Sequence, residues 1–149
     1  YKRQTVMYAK GHYYLYKKKN PFKHLIYPLP NSNGHGIHAG MDIENNLRFG
    51  PNAKWVDSIE YSFDENTLEE FCNSIKSYWV NFDPSCLSPD YTGIRSKIVA
   101  EGEGSQDFEI LDASDHGLEN LIHLQGIDSP GLTSSLSIAA EVISKLGIH

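Results

Sequence analysis

The chain has 149 residues, of which 40% are hydrophobic, and it carries a formal net charge of −6 at pH 7. This length supports one substantial hydrophobic core, and the negative charge argues against nucleic acid as a partner. The two cysteines, Cys72 and Cys86, lack a metal-binding spacing and form no disulfide framework, which favours a reducing, cytoplasmic setting. We identify neither a signal peptide nor an apolar run long enough to span a membrane.

Short antiparallel strands are predicted along the first part of the chain. Residues 5–16 are rich in β-branched and aromatic side chains and are interrupted by Gly11, which predicts a strand, or a pair of strands, with a bend. Further strands are predicted at 24–30, 34–42 and 46–52, separated by Asn, Gly, Ser and Pro residues. A hairpin turn at 44–46 joins the last two strands. The pattern is that of an antiparallel meander.

Helical periodicity starts after these strands, at Asn66. Asn66 is a suitable N-cap, Glu69 follows three residues later, and apolar residues recur at helical spacing as far as Phe82. A proline-rich loop at 84–89 comes next. Strands are then predicted at 91–100, 107–112 and 118–126. The elements together predict an α+β fold, with an antiparallel sheet and an amphipathic helix lying on it.

The chain ends with a predicted helix that opens on Ser129-Pro130-Gly131. Ser129 is a good N-cap and Pro130 suits the first helical position. Gly131 weakens a helix by roughly 1 kcal/mol relative to alanine, which is reasonable where something must approach the backbone closely. The predicted buried stripe of this helix consists of Leu132, Leu136, Ala139, Val142, Ile143 and Leu146.

Several short motifs occur in a distinctive order along nearly the whole chain. They are "KGHYY" (10–14), "LIYPLP" (25–30), "GIHAGMD" (36–42), "RFGPN" (48–52), "PDYTGIRSKI" (89–98), "DFEI" (107–110) and "LIHLQGIDSPGLTSSLSIAAEV" (121–142). In this order and spacing they resemble the C-terminal part of the L-2-hydroxyglutarate dehydrogenase/oxidase family. That family belongs to the FAD-dependent oxidoreductases built like D-amino-acid oxidase.

The resemblance implies two regions. Residues 1–90 resemble a portion of a substrate-binding domain, and residues 91–149 resemble the closing strands and helix of a FAD-binding domain. Such proteins bind FAD through an N-terminal βαβ unit with a G-x-G-x-x-G motif, which the sequence lacks: "GEGSQD" (102–107) has two suitably spaced glycines but no third. Since the chain also begins at Tyr1 within a predicted strand, we expect a fragment, a split enzyme or a processed product.

The resemblance also places the start of the terminal helix against the flavin ring. The first turn of a helix has free N–H groups and a partial positive charge, which favour a nearby anion by about 0.3–1 kcal/mol. A reduced flavin develops negative charge at N1 and the C2 carbonyl. The predicted cofactor-binding residues are Ser129, Pro130, Gly131, Leu132, Thr133 and Ser134. An ordinary capped surface helix is the alternative interpretation.

Arg95 and His38 are the predicted catalytic residues. Arg95 resembles the arginine of the family's Gly-hydrophobic-Arg segment, and a guanidinium matches a substrate carboxylate. Lys97 would share the face of Arg95 on a regular strand. His38 is suited to accept the hydroxyl proton or to orient the substrate, although a structural role is equally consistent with its pattern. His35 is interpreted as structural, and two histidines without a third ligand make a weak metal site.

Further substrate-binding residues are expected in "KGHYY", which borders the substrate cavity in the family. We assign Lys10 and Tyr13 to substrate binding together with Arg95, although tyrosines on a strand usually serve packing. His12 belongs to the same segment. Asn52 follows a predicted turn and is interpreted as a turn residue or a polar contact in the cavity.

The sequence therefore predicts part of an enzyme that oxidises L-2-hydroxyglutarate, or a similar 2-hydroxy acid, to the 2-oxo acid with FAD. The alternative is a non-catalytic α+β module, or a decayed or split gene product that does not bind flavin by itself. Expected partners are the small 2-hydroxy acid and the N-terminal flavin-binding portion. Self-association and contact with a quinone at the membrane surface remain open, as does a location peripheral to the inner membrane.

Overall fold

The computed structural model describes residues 6–29, 36–99, 102–103 and 107–148. Seven strands are formed: β1 Met7–Tyr16, β2 His38–Met41, β3 Leu47–Gly50, β4 Lys54–Val56, β5 Leu87–Lys97, β6 Glu109–Leu111 and β7 His123–Gln125. Three α-helices are formed: α1 Leu68–Tyr78, α2 Ala113–His116 and α3 Ser135–Lys145. Short 3-10 turns lie at Glu65–Thr67 and Pro84–Cys86. The mixed helix and sheet composition confirms the α+β prediction.

The chain divides into two compact units. One contains residues 9–94, and the other contains the described residues before Ala9 and from Arg95 onward. The larger sheet has the strand order β2-β3-β1-β4, and β5 also pairs with β1. The strands β6 and β7 form a separate antiparallel pair. In the described ranges, no helix has the length and apolar character needed to cross a bilayer.

The hairpin of β2 and β3 forms at the predicted turn. The two strands pair antiparallel with His38 opposite Gly50 and Met41 opposite Leu47. Asp42 accepts hydrogen bonds from the backbone N–H groups of Glu44 and Asn46 at 2.9 and 2.8 Å. Asn45 adopts a φ of 65°, a conformation that asparagine tolerates better than most residues. Local turn chemistry therefore sets the register of this hairpin.

The core of the larger unit lies between β1 and α1. Tyr14 is 1% exposed and its ring lies 4.6 Å from that of Phe71, while its hydroxyl is 3.0 Å from the Thr67 hydroxyl. Phe71 and Ile75 of α1 are fully buried against the sheet. Burying such side chains stabilises the fold by about 1.5–3 kcal/mol each. The helical periodicity seen in the sequence thus corresponds to a real apolar face.

Several element boundaries in this unit differ from the prediction: β5 begins at Leu87, inside the predicted loop, α1 ends at Tyr78, and β4 was not predicted. Of the predicted strand at 24–30, the described residues 24–29 form only a single antiparallel bridge, between Ile26 and Ala39, because Pro28 has no N–H with which to extend the ladder. Asn66 is not the N-cap of α1: Asp64 caps the 3-10 turn that precedes the helix, its carboxylate accepting from the Asn66 N–H at 3.0 Å, and Thr67 holds the N-cap position of α1. The helix α1 itself begins only at Leu68.

The terminal helix starts five residues later than the sequence predicts. Ser129 is not its N-cap and Pro130 is not its first residue, because α3 begins at Ser135 with Ser134 as N-cap. Residues before it form turns in which the Gly131 N–H donates to the Asp128 carbonyl at 2.5 Å. The predicted buried stripe is also wrong for this structure: Leu132 is 91% exposed, Leu136 is 85% exposed, and α3 buries no side chain.

Candidate functional site

A cleft of about 190 Å³ lies on the larger sheet. The residues lining it come from β1, β2, β3, β5 and the hairpin turn: Tyr13, His38, Gly40, Met41, Asp42, Arg48, Gly50 and Tyr91. Two predicted site residues, Tyr13 and His38, are therefore brought together. His35 lies outside the described residues, so the predicted pairing of the two histidines has no structural description. Across the described ranges, no group of three or more potential metal ligands is present.

Aromatic stacking fixes the two predicted residues in the cleft. The His38 ring stacks on Tyr27 with a centroid distance of 4.6 Å and an interplanar angle of 17°. The Tyr13 ring stacks on Tyr91 at 4.5 Å and 15°. Burial raises the pKa of Tyr91 above its ordinary value of 10.0, so its hydroxyl stays protonated at neutral pH. The cleft is therefore lined by the imidazole of His38, which stacking holds in place, and by the side chains of Tyr13 and Tyr91.

Arg48 is a cleft residue that sequence reasoning missed. Its Nε donates to Asp90 Oδ2 at 2.5 Å and its Nη1 donates to Asp42 Oδ2. Two carboxylates thus outweigh one guanidinium, which makes Arg48 a poor clamp for an additional anion. The Asp90 partner lies 42 residues away in sequence, so no local signal revealed this cluster.

Lys10 lies on the other face of β1. Successive residues of a strand point to opposite faces, so Lys10, His12 and Tyr14 share one face and Tyr13 points to the other. The Lys10 ammonium is largely buried and pairs with Glu60 at 3.4 Å. The structure therefore does not bring Lys10 to the cleft that contains Tyr13 and His38.

A buried hydrogen-bonded chain occupies the Lys10 face. Asn52 Oδ1 accepts from the backbone N–H of His12 at 2.9 Å and lies 3.0 Å from His12 Nδ1, while Asn52 Nδ2 donates to Glu70 at 3.0 Å. Because an amide oxygen only accepts, Nδ1 of His12 must carry the proton. Burial lowers the pKa of His12, despite the bond to Asn52. Asn52 therefore does more than close a turn: it fixes the tautomer of a neutral histidine.

A second set of charges lies in the smaller unit. Lys97, at the end of β5, donates to Asp128 Oδ2, and Arg95 adds positive charge near the same carboxylate. Burial by itself would raise the pKa of Asp128, but the bonds from Lys97 and the Ser129 N–H and the two positive charges outweigh burial, so the pKa is lowered. Lys97 and Arg95, two residues apart on β5, thus act on the same carboxylate. Among these three side chains, the two positive charges outnumber the one negative charge.

The turn that follows Asp128 contains the predicted cofactor-binding residues. A Cβ added to Gly131 would lie 2.6 Å from Ile127 Cγ2 and 2.7 Å from the Asp128 carbonyl oxygen. The chain itself therefore requires glycine at this position, whatever else approaches it. The Ser134 hydroxyl donates to the Pro130 carbonyl at 3.0 Å. Within the described part of the chain, the N–H groups of Leu132 and Thr133 donate to no acceptor.

Comparison with known proteins identifies the class to which this fold and these residues belong. The FAD dependent oxidoreductase family (DAO) matches residues 2–145. The chain belongs to this family.

Two relatives and one solved structure define the likeness further. The chain is 34% identical over 93% of its length to the mitochondrial L-2-hydroxyglutarate dehydrogenase of Arabidopsis thaliana, and covers 31% of that protein. It is 30% identical, also over 93% of its length, to the glycerol 3-phosphate oxidase of Mycoplasma genitalium, and covers 36% of it. The structure of dithionite-reduced L-alpha-glycerophosphate oxidase from Mycoplasma pneumoniae with FAD bound matches with a TM-score of 0.76 at 18% identity, over 97% of this chain and 37% of that one. The chain thus spans about a third of these proteins.

The donors of the turn are compatible with the FAD of this family. The free N–H groups of Leu132 and Thr133 stand just before α3, an eleven-residue helix whose N-terminus carries partial positive charge. Such a donor set matches the electron-rich N1 and C2 carbonyl edge of a flavin. The Ser134 hydroxyl is engaged within the turn, so it supports the loop while the backbone supplies the donors.

Proposed function

We propose that this chain is the C-terminal portion of a flavoenzyme that oxidises L-2-hydroxyglutarate, or a similar 2-hydroxy acid, to the 2-oxo acid. In this proposal residues 1–90 belong to the substrate-binding domain and residues 91–149 complete the FAD-binding domain. The observation that carries the proposal is that Arg95 and Lys97 both act on the carboxylate of Asp128, the residue that begins a turn with free N–H donors. An anionic substrate and an electron-rich cofactor edge both require such groups.

Each residue has a separate role in the proposed reaction. Arg95 binds the carboxylate of the substrate through a charge-assisted hydrogen bond, and Lys97 holds the Asp128 turn. His38, held by its stack on Tyr27, accepts the hydroxyl proton as the carbonyl of the product forms. Tyr13, in the same cleft, orients the substrate with its hydroxyl. When bound, FAD accepts the hydride that leaves C2 of the substrate.

A flavin-binding portion is the proposed partner for the apolar surface of the terminal helix. Leu132 and Leu136 are almost fully exposed, and Ile143 is 49% exposed. Exposed apolar patches of this kind are usually covered by another protein surface. The same surface also favours the alternative, a non-catalytic module that associates with itself or with a partner. Retention of FAD by the assembled protein separates the two functions.

Glycerol 3-phosphate is the second candidate substrate. Two relatives are named for this substrate. One is the glycerol 3-phosphate oxidase of Mycoplasma genitalium, and the other is a glycerol 3-phosphate dehydrogenase of Caloramator mitchellensis that is 29% identical to this chain. The phosphate of this substrate and the carboxylates of a 2-hydroxy acid are both anions that a guanidinium can bind. The higher identity to the L-2-hydroxyglutarate dehydrogenase favours the 2-hydroxy acid.

The test joins this chain to a flavin-binding portion of the family and measures flavin absorbance and reduction by each substrate. We expect bound FAD and faster reduction by L-2-hydroxyglutarate than by glycerol 3-phosphate. Arg95→Ala removes a charge-assisted bond and is expected to lower kcat/KM roughly 10- to 100-fold, mainly through KM. Arg95→Lys should recover only part of this loss, because a lysine lacks the bidentate fork. An assembled protein without FAD would refute the proposal, and an unchanged KM would remove Arg95 from the site.

A further inference from the structure

Asp128 is the centre of the turn that precedes α3. Its carboxylate accepts from Lys97 Nζ, and its carbonyl oxygen accepts from the Gly131 N–H at 2.5 Å. The Asp128 side chain is only 14% exposed. Asp128 thus closes the turn through its carbonyl oxygen and links the turn to Lys97 of β5 through its carboxylate.

A second contact ties the same turn to the end of β5. Gly126 has a φ of +64°, and a Cβ added there would lie 2.8 Å from Ile98 Cδ1. Ile98 directly follows Lys97 in the chain. Because neighbouring residues hold Gly126 and Asp128, the path of the backbone into residues 129–134 is set by the end of β5.

We propose that Lys97 is a positioning residue which, through Asp128, holds the Leu132 and Thr133 N–H groups in place for the flavin. This inference rests on the proposed function, because it assumes that the turn contacts FAD. Lys97 acts through Asp128 and touches neither substrate nor cofactor. Arg95 supports the same carboxylate by its charge, whereas Lys97 donates a hydrogen bond to it.

The chain offers a matched control in the same unit. Lys145 pairs with Asp112 at 2.8 Å, and the side chains of Lys145 and Lys97 are 26% and 31% exposed. Lys145 approaches α2 and not the Asp128 turn. Lys145→Gln therefore removes a comparable ion pair without the proposed effect on residues 126–134.

The experiment uses the assembled flavoprotein and compares wild type with Lys97→Gln, Lys97→Arg and Lys145→Gln. Amide hydrogen exchange is measured without added flavin at the hydrogen-bonded N–H groups of the turn, which are those of Asp128, Gly131 and Ser134. FAD affinity and the flavin reduction potential are measured afterwards. In Lys97→Gln we expect about tenfold faster exchange and about tenfold weaker FAD binding, each equal to ~1.4 kcal/mol, because the ion pair is only partly exposed. The potential should become more negative, since the reduced flavin loses donors. Lys97→Arg should restore all three properties and Lys145→Gln should leave them unchanged.

Unchanged exchange in Lys97→Gln would overturn the inference, as would faster exchange with wild-type FAD affinity and potential. An equal effect of Lys145→Gln would also overturn it, because the response would then reflect general destabilisation of the unit. A wild-type assembly that binds no FAD would refute the proposed function itself and this inference with it. If the wild-type assembly binds FAD and Lys97→Gln matches it in amide exchange, FAD affinity and reduction potential, only the positioning role of Lys97 is refuted.

Discussion

Removing the Asn52 side chain is expected to destabilise the chain strongly. Asn52→Ala leaves two donors of His12, the backbone N–H and Nδ1–H, without their acceptor, in a residue that is 1% exposed. A buried donor that loses its acceptor costs about 1–3 kcal/mol. Because both donors share one oxygen, we expect a total loss of about 2–4 kcal/mol of unfolding free energy. Glu70 is exposed and recovers its lost bond from water.

Urea unfolding followed by tryptophan fluorescence measures this loss. With a slope of about 2 kcal/mol/M, the transition midpoint should fall by roughly 1–2 M. Asn73→Ala is the matched control, since Asn73 is exposed on α1 and its truncation should change the unfolding free energy by less than about 0.5 kcal/mol. If the unfolding free energy of Asn52→Ala lies within about 0.5 kcal/mol of the wild-type value, the loss is smaller than that expected for one buried donor. The assigned His12 tautomer and its hydrogen bonds to Asn52 would then be wrong.

Three further perturbations follow from the same contacts. Burial lowers the pKa of His12 from 6.5, so on acidification the unfolded chain binds this proton at a higher pH than the folded chain. Urea unfolding at a series of pH values should therefore show the unfolding free energy falling as the pH drops below 6.5. His12→Gln should abolish the part of this pH dependence that comes from His12. Phe71→Ala should cost about 3–5 kcal/mol in urea unfolding because its ring is fully buried, whereas truncating the 41% exposed Leu68 should cost far less. Gly131→Ala should weaken FAD retention in the assembled protein, because the added Cβ would clash with Ile127 and Asp128. Gly93→Ala is the control and should retain FAD normally, since no atom lies within 4 Å of its added Cβ. Equal FAD retention by the two variants would contradict the close packing at Gly131.

Local patterns in the sequence were sufficient for the elements with strong periodicity. The apolar spacing in α1 and the turn at Asp42–Asn46 depend on near neighbours, so both were predicted well. Pro28 was the available signal against a strand at 24–30, because a missing N–H ends a ladder. The strand period of two likewise contained the information that Lys10 and Tyr13 point to opposite faces.

The charged clusters depended on distant pairings and could not be predicted. Arg48 meets Asp90 across 42 residues, and Lys97 meets Asp128 across 31. The start of α3 was misplaced because Asp128 and Gly131 close a turn where Ser129 and Pro130 match the residue preferences of a helix start. The assigned roles of Arg95, His38 and Tyr13 remain predictions.

The central position of β1 also has a consequence for how the chain folds. β1 lies between β3 and β4 in the sheet and pairs with β5, whose residues are synthesised at least seventy positions later. Pairings so distant in sequence close slowly, because loop-closure entropy is lost before the contacts form. During synthesis, the part of β1 that pairs with β5 therefore stays unpaired until β5 emerges, although β3 and β4 are available earlier. Slowing translation between α1 and β5 should lengthen this interval and increase aggregation of the nascent chain.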